Sequence, residues 1–266
     1  MNYYLGVDIG STTIKIVLID ESGEMVDKIG SPTGSMFNKN ALDSLDRLLK
    51  SNNLTREDLK YIVSTGYGRK LFKISNENVN ELTANAKGAR NSLGNDIKVK
   101  TIINVGGQDT KVIMLDNDGK MTNFFMNDKC AAGTGKFLDI SARNLEVEVQ
   151  ELQTLHFEAK DTPLPINSIC AVFAESEIIS LLAAGHQTSE IASGIHYSIA
   201  KRITRLASRG RIEDAVLFDG GTALNKGMVD ALENELMRPV YVNSFPQFTT
   251  AYGAALIAKE RYLDNL

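Results

Sequence analysis

Leu5-Gly-Val-Asp-Ile-Gly10-Ser-Thr-Thr-Ile-Lys15-Ile-Val-Leu-Ile-Asp20-Glu-Ser-Gly-Glu-Met25 has a counterpart later in the same chain. At an offset of 96 residues, without a gap, it falls on Thr101-Ile-Ile-Asn-Val-Gly106-Gly-Gln-Asp-Thr-Lys111-Val-Ile-Met-Leu-Asp116-Asn-Asp-Gly-Lys-Met121. Gly10 meets Gly106, Lys15 meets Lys111, Asp20 meets Asp116, Gly23 meets Gly119 and Met25 meets Met121. The apolar positions follow: Val7 falls on Ile103, Ile9 on Val105, and the run to Ile19 mostly on Val112 to Leu115. Each copy reads as strand, turn, strand, turn, strand, because runs of β-branched and apolar residues are broken by turn formers. Two such units, each followed by helical stretches, indicate a duplicated α/β architecture rather than a chance likeness of two hairpins.

After the first copy the pattern predicts a polar loop over 31–39 and a helix over 40–51, with Ala41, Leu45, Leu48 and Leu49 as its apolar stripe. A helix start at Thr55, a strand over 61–65 and a helix over 81–92 complete the first half. After the second copy, helical stretches are expected over 137–145, 149–155, 171–184 and 191–207. A strand over 215–219 then leads into Gly220-Gly221, a helix with Leu224, Met228, Leu232 and Leu236, and a short strand over 240–242. The final helix, 250–262, opens with Ala251-Tyr-Gly-Ala-Ala255, residues small enough for close helix packing.

Composition narrows the function classes. The 266 residues suffice for one large domain or two smaller ones; 43% hydrophobic and 23% charged residues are ordinary for a globular chain. A net charge of −4 argues against a general nucleic-acid or membrane-surface role, which would favour a basic excess. The opening Met-Asn-Tyr-Tyr-Leu-Gly-Val-Asp lacks a basic region and a long apolar run, so it reads as a strand rather than a leader. No stretch approaches the length of a membrane span, and a cytoplasmic location is expected.

Three turns carry candidate chemistry. Asp8 stands at a strand end before Gly10, Ser11, Thr12 and Thr13, whose backbone N–H groups and hydroxyls suit a phosphate, while Asp8 suits Mg²⁺ through water. Lys15 either adds charge to phosphates or is a solvated strand residue. Gly106, Gly107, Gln108 and Asp109 form the equivalent turn of the second copy, where Gln108 or Asp109 can orient a water for attack on a γ-phosphate. Gly220 and Gly221, after Phe218-Asp219, let the backbone approach a flat base and ribose.

Asn127-Asp-Lys-Cys130-Ala-Ala-Gly-Thr-Gly-Lys-Phe137 imitates a phosphate-binding loop, yet it has Cys130 where that loop needs glycine and Phe137 where it needs Ser or Thr. The chain has one other cysteine, Cys170. Two cysteines 40 residues apart make no disulfide framework and cannot alone satisfy a four-coordinate metal; His156, His186 and His196 show no ligand spacing with them. Taken alone, the plain reading is two buried thiols.

The three turns in this order resemble the two phosphate motifs and the adenosine motif of the actin, heat-shock chaperone and sugar-kinase superfamily. More narrowly, the chain resembles the ATP-dependent activators of 2-hydroxyacyl-CoA dehydratases, a family that includes benzoyl-CoA reductase ATPase subunits. The resemblance rests on Gly6-Val-Asp-Ile-Gly-Ser-Thr12, Thr65-Gly-Tyr-Gly-Arg69, Val105-Gly-Gly-Gln-Asp109, the Cys130 stretch and Cys170-Ala-Val-Phe-Ala-Glu-Ser-Glu177, with Gly194-Ile-His196, Gly220-Gly221 and Gly253-Ala-Ala255. These segments span almost the whole chain.

The resemblance implies a duplicated actin-like (ribonuclease H-like) ATPase fold. Domain I would cover 1–100, completed by a C-terminal helix over 250–266, and domain II would cover 101–249, with a nucleotide cleft between them. It implies ATP or ADP with Mg²⁺ as ligands, and a homodimer holding one [4Fe-4S] cluster through Cys130 and Cys170 of each subunit, four thiolates in all. Helix N-termini just after the two cysteines would support the cluster's negative charge. Gln247, before the last helix, matches a nucleotide-site position. A ferredoxin or flavodoxin would reduce the cluster, and ATP-driven domain movement would pass a low-potential electron to an iron–sulfur dehydratase or reductase.

The chain departs from the family pattern at two places. Asn104 stands where the second phosphate motif commonly has Asp, which predicts weaker metal binding or hydrolysis, and Phe-Asp-Gly-Gly-Thr stands where Thr-Gly-Gly is usual. Two other readings use the same fold. A small-molecule kinase would need a carboxylate base facing its substrate, and no candidate stands out, since Glu175 and Glu177 are too close to the Cys170 helix start. A nucleotide-gated interaction protein would need no redox chemistry. Within the electron-transfer reading, a benzoyl-CoA reductase or other double-cluster reductase is the alternative acceptor.

Overall fold

Strands buried on both faces read as continuous apolar runs, and the first hairpin is built that way. β1 (Tyr3–Ile9) pairs antiparallel with β2 (Thr13–Ile19), with Asp8 opposite Lys15, and β3 (Met25–Pro32) extends the meander. The computed structural model describes residues 2–94, 96–127, 131–160, 162–166 and 171–266, without the side chain of Ala171. After helix α1 (Phe37–Ser51), β4 (Leu59–Thr65) lies parallel to β1 and is followed by the short β5 (Glu77–Asn78). The sheet order is β3-β2-β1-β4-β5.

The second copy repeats this plan. Helix α2 (Glu81–Asn91) precedes β6 (Thr101–Val105), β7 (Thr110–Leu115) and β8 (Met121–Asn127). Four helices follow: α3 (Gly135–Asn144), α4 (Glu151–Glu158), α5 (Ala171–Ala183) and α6 (Thr188–Ala207). Strand β9 (Val216–Asp219) then returns parallel to β6, and the order β8-β7-β6-β9 matches β3-β2-β1-β4. Helices α7 (Lys226–Leu236) and α8 (Thr249–Asp264) end the chain. The duplicated α/β architecture expected from the repeat is therefore present.

Two compact units result: residues 1–98, 117–121 and 247–266 form one, and residues 99–116 and 122–246 form the other. In the first, side-chain alternation sorts the strands' two faces. Leu5, Val7 and Ile9 bury against Ala41, Leu45, Leu48 and Leu49 of α1. Tyr4, Val17 and Ile19 bury against Ala251, Ala254, Ala255 and Ala258 of α8. In the second, Ile103, Val105 and Phe218 pack with Phe137 of α3, Ile195 of α6 and Met228 of α7.

Local deviations from the sequence reading have local causes. The helix start at Thr55 yields only a 3-10 turn, Arg56–Asp58: the Asp58 carboxylate caps the Thr55 N–H at 2.7 Å and β4 begins at once. The strand expected over 240–242 is reduced to one bridge, Leu217 to Tyr241, because the chain turns at Asn243, whose Oδ1 accepts from Phe245 N–H. α4 lies later than its expected span of 149–155. α1 starts at Phe37, inside the expected loop.

The small residues of the last helix do what their size predicts. A Cβ on Gly253 would lie 1.8 Å from the Ala84 carbonyl oxygen of α2, so the two helices touch backbone to backbone. Gly253→Ala is expected to push α2 from α8 and to cost about 1–3 kcal/mol of stability, the range of core overpacking, read as a lowered denaturant midpoint.

Candidate functional site

Both hairpin turns close with the same backbone bond. Gly10 N–H donates to the Thr13 carbonyl at 3.0 Å, and Gly106 N–H to the Asp109 carbonyl at 2.9 Å, at equivalent repeat positions. The first turn is clamped by Thr33, whose Oγ1 donates to the Gly10 carbonyl at 2.8 Å and whose N–H donates to the Thr12 carbonyl at 2.9 Å. Ser11 and Thr12 remain exposed at the tip. Asp8 is buried at the base, with Lys15 Nζ 3.4 Å from its Oδ2. The Thr65–Arg69 segment braces this base: a Cβ on Gly66, at φ +85°, would fall 2.4 Å from Asp8 Oδ1, and Gly68 N–H donates to the Ile9 carbonyl.

The second turn differs in its side chains. Lys111 lies opposite Asn104 in the ladder but pairs with Asp109 Oδ2 at 2.8 Å. Gln108 is exposed. The turn's carbonyls are occupied by α3: Gly135 N–H donates to Gly106 O and Lys136 N–H to Gly107 O, both at 2.9 Å. Thr110 Oγ1 also donates to the Gly133 carbonyl at 2.6 Å. The Gly135 and Lys136 amides at the start of α3 are thus committed to protein carbonyls. Cys130, like Cys170, lies outside the described residues.

The third turn follows β9. Gly220 adopts φ +91°, and a Cβ there would meet the Val105 carbonyl oxygen at 2.2 Å, so only glycine fits. Thr222 Oγ1 donates to the same carbonyl, and Asn104 Nδ2 donates to Asp219 Oδ1 at 2.7 Å. The residues Gly221–Leu224 form a 3-10 turn that leaves Leu224 exposed beside a cavity of about 500 Å³ with Phe157, Val229 and Val242 among its walls. Gln247 is exposed directly before α8. The structure thus brings Gly106, Gly107, Gly220 and Gly221 around one strand pair, β6 and β9, with α3 docked on it.

Sequence reasoning missed three contributors. Thr33 gave no signal, being one hydroxyl in a polar stretch. Asp219 was noted only as an irregular motif letter. Val172, Phe173 and Ile179 of α5 are 66%, 65% and 55% accessible, an exposure that the helical pattern over 171–184 did not reveal. Glu175 and Glu177 lie on the same helix. Among the described residues no group of three or more His, Cys, Asp or Glu could hold a metal ion, and no helix is long and apolar enough to cross a membrane.

This fold is that of actin-like ATPases and sugar kinases. A glucokinase of the ROK family from Streptomyces griseus shares it at 13% identity, covering 97% of this chain and 100% of its own, with a TM-score of 0.62. The chain belongs to the BadF/BadG/BcrA/BcrD ATPase family, whose model matches residues 5–258. It is 43% identical to the activator of lactoyl-CoA dehydratase of Anaerotignum propionicum, over 97% of this chain and 98% of that one. It is 42% identical to the (R)-2-hydroxyglutaryl-CoA dehydratase activating ATPase of Acidaminococcus fermentans, over 97% and 98%. The solved activator of the 2-hydroxyisocaproyl-CoA dehydratase from Clostridium difficile, with bound ADPNP, matches at 40% identity and TM-score 0.92, covering 99% of this chain and 96% of that one. The family resemblance read from the motifs is borne out.

One motif plays a packing role. His196 is fully buried on α6, with its Nδ1 3.1 Å from His156 Nδ1; His156 Nε2 lies 3.1 Å from Asp230 Oδ2. This network assigns the protons: His156 donates to Asp230, and His196 donates to His156. Burial, then the neighbouring His156, lowers the His196 pKa from its ordinary 6.5 to about 3. The unfolded chain therefore binds a proton below about pH 6.5 that the folded chain refuses until about pH 3. This contribution to stability is complete above pH 6.5 and is lost as the pH falls, by up to roughly 1.4 kcal/mol per unit. Denaturant titrations at several pH values should show a shallower acid slope for His196→Leu than for the wild type.

Proposed function

We propose that this chain is an ATPase that activates a 2-hydroxyacyl-CoA dehydratase by delivering a low-potential electron, coupled to ATP hydrolysis. The observation that carries this reading is the seating of α3 on the second phosphate turn through the Gly106 and Gly107 carbonyls. The same turn that would meet a γ-phosphate is thereby bonded to the helix following the Cys130 stretch. A nucleotide that shifts this turn shifts that stretch with it. ATP and ADP differ in their contacts to Ser11–Thr13 and Gly106–Gln108, and that difference biases the position of the cysteine segment.

At the nucleotide, Asp8 would hold Mg²⁺ through water, a task that suits a hard carboxylate oxygen at a strand end. The turn of Gly10, Ser11, Thr12 and Thr13 and the turn of Gly106 and Gly107 take the phosphates, with Lys15 adding charge. Gln108 and Asp109 orient the attacking water. Gly220 and Gly221 admit the ribose and base, Leu224 and the apolar walls of its cavity suit a purine face, and Gln247 adds a polar contact.

Cys130 and Cys170 would hold the [4Fe-4S] cluster, which supplies a reversible one-electron store when bound. Two thiolates per chain fit such a cluster only if a second copy brings two more. The exposed Val172, Phe173 and Ile179, on the helix that follows Cys170, support that homodimer, since an apolar face of this kind is typical of a covered surface. A ferredoxin or flavodoxin would be the donor, and an iron–sulfur dehydratase the acceptor.

Anaerobic purification should yield a dimer with about two iron atoms per chain, as one four-iron cluster per pair requires. Cys130→Ala and Cys170→Ala should lose the iron and retain nucleotide binding. A native, iron-free protein that still hydrolyses ATP would sink the electron-transfer reading.

A further inference from the structure

The two copies differ at the one row where a carboxylate is expected, and the difference is shared between two strands. In the first unit, Lys15 of β2, Asp8 of β1 and Thr65 of β4 are register partners across three neighbouring strands. In the second unit the same row reads Lys111 of β7, Asn104 of β6 and Asp219 of β9. Each row holds one lysine and one carboxylate, and each ends beside a positive-φ glycine, Gly66 or Gly220. The carboxylate has moved from the central strand to its parallel neighbour.

The contacts fit that displacement. Asp219 is fully buried, and Asn104, partly exposed in front of it, donates its Nδ2 to Asp219 Oδ1 at 2.7 Å. An aspartate at position 104 would set two carboxylates at that spacing, a like-charge contact in a buried setting. Asparagine removes the repulsion and turns the contact into a charge-assisted hydrogen bond. Lys111, facing an amide rather than a carboxylate, pairs with Asp109 instead.

We propose that Asn104 and Asp219 together replace the single aspartate: Asn104 presents its amide oxygen to the hydrated Mg²⁺ of the nucleotide, and Asp219 orients that amide and supplies the negative charge from behind. Asp219 is a positioning residue, acting through Asn104. This inference rests on the nucleotide-binding reading above, and it replaces the expectation that Asn104 simply weakens the metal site.

The test is binding of a fluorescent ATP analogue as Mg²⁺ is titrated, with melting temperature recorded for every variant. Asp219→Thr, which leaves the row without a carboxylate, should raise the half-saturating Mg²⁺ concentration about tenfold or more, as loss of an outer-shell partner does. Binding of the analogue in EDTA should not change. Asp219→Asn keeps the shape and serves if the threonine variant does not fold. The double variant Asn104→Asp with Asp219→Thr recreates the row of the first unit and should return the Mg²⁺ requirement close to that of the wild type. An unshifted requirement in Asp219→Asn, or a double variant no better than Asp219→Thr, overturns the inference alone. A wild type that shows no Mg²⁺-dependent binding overturns the nucleotide reading and this inference with it.

Discussion

Two hydrogen bonds, from Gly135 N–H to the Gly106 carbonyl and from Lys136 N–H to the Gly107 carbonyl, hold the second unit's working parts together. A helix leaves its first amides without intrahelical partners, and a tight turn leaves carbonyls in the same need. Placed against each other, the two deficits cancel, and neither has to be met by water in a half-buried setting. The arrangement also explains why Gly133-Thr-Gly-Lys136 is no phosphate loop. Its Gly135 and Lys136 amides already serve the carbonyls of Gly106 and Gly107.

The duplicated hairpins show which features of the repeat are rigidly constrained. The turn-closing bond, the ladder register and the close approach of a glycine to the neighbouring strand are common to both copies. These are backbone constraints, and a change in any of them would disturb the whole sheet. Side chains at the strand ends are freer, since the sheet tolerates any set that satisfies its polar atoms locally. The first copy does so with Lys15 and Asp8; the second divides the work among Lys111, Asp109, Asn104 and Asp219.

Helix α5 illustrates the limit of reading burial from pattern. Val172, Phe173 and Ile179 belong to an apolar run that looks like core, because residue type alone does not say which side of a helix is covered. In the folded chain Ala174 and Ile178 face inward and those three do not. Which side of the helix is covered is decided by the packing of the other elements, which residue type does not encode.

The linear chain by itself determined the duplication, the two-sheet α/β class, the positions of the hairpin turns and the family, because each depends on local periodicity, on turn chemistry or on motif order. It also singled out Asn104 and the Phe-Asp-Gly-Gly sequence as departures, but as two unrelated ones. Only the tertiary structure made them one, since Asn104 and Asp219 are 115 positions apart and meet through the parallel pairing of β6 with β9. The clamp of Thr33 on Gly10, the seating of α3 on Gly106 and the close contact of Gly253 with Ala84 share that origin. Each joins groups distant in sequence, and no period or local propensity encodes such a contact: it arises when strands and helices pack and every buried donor must find an acceptor.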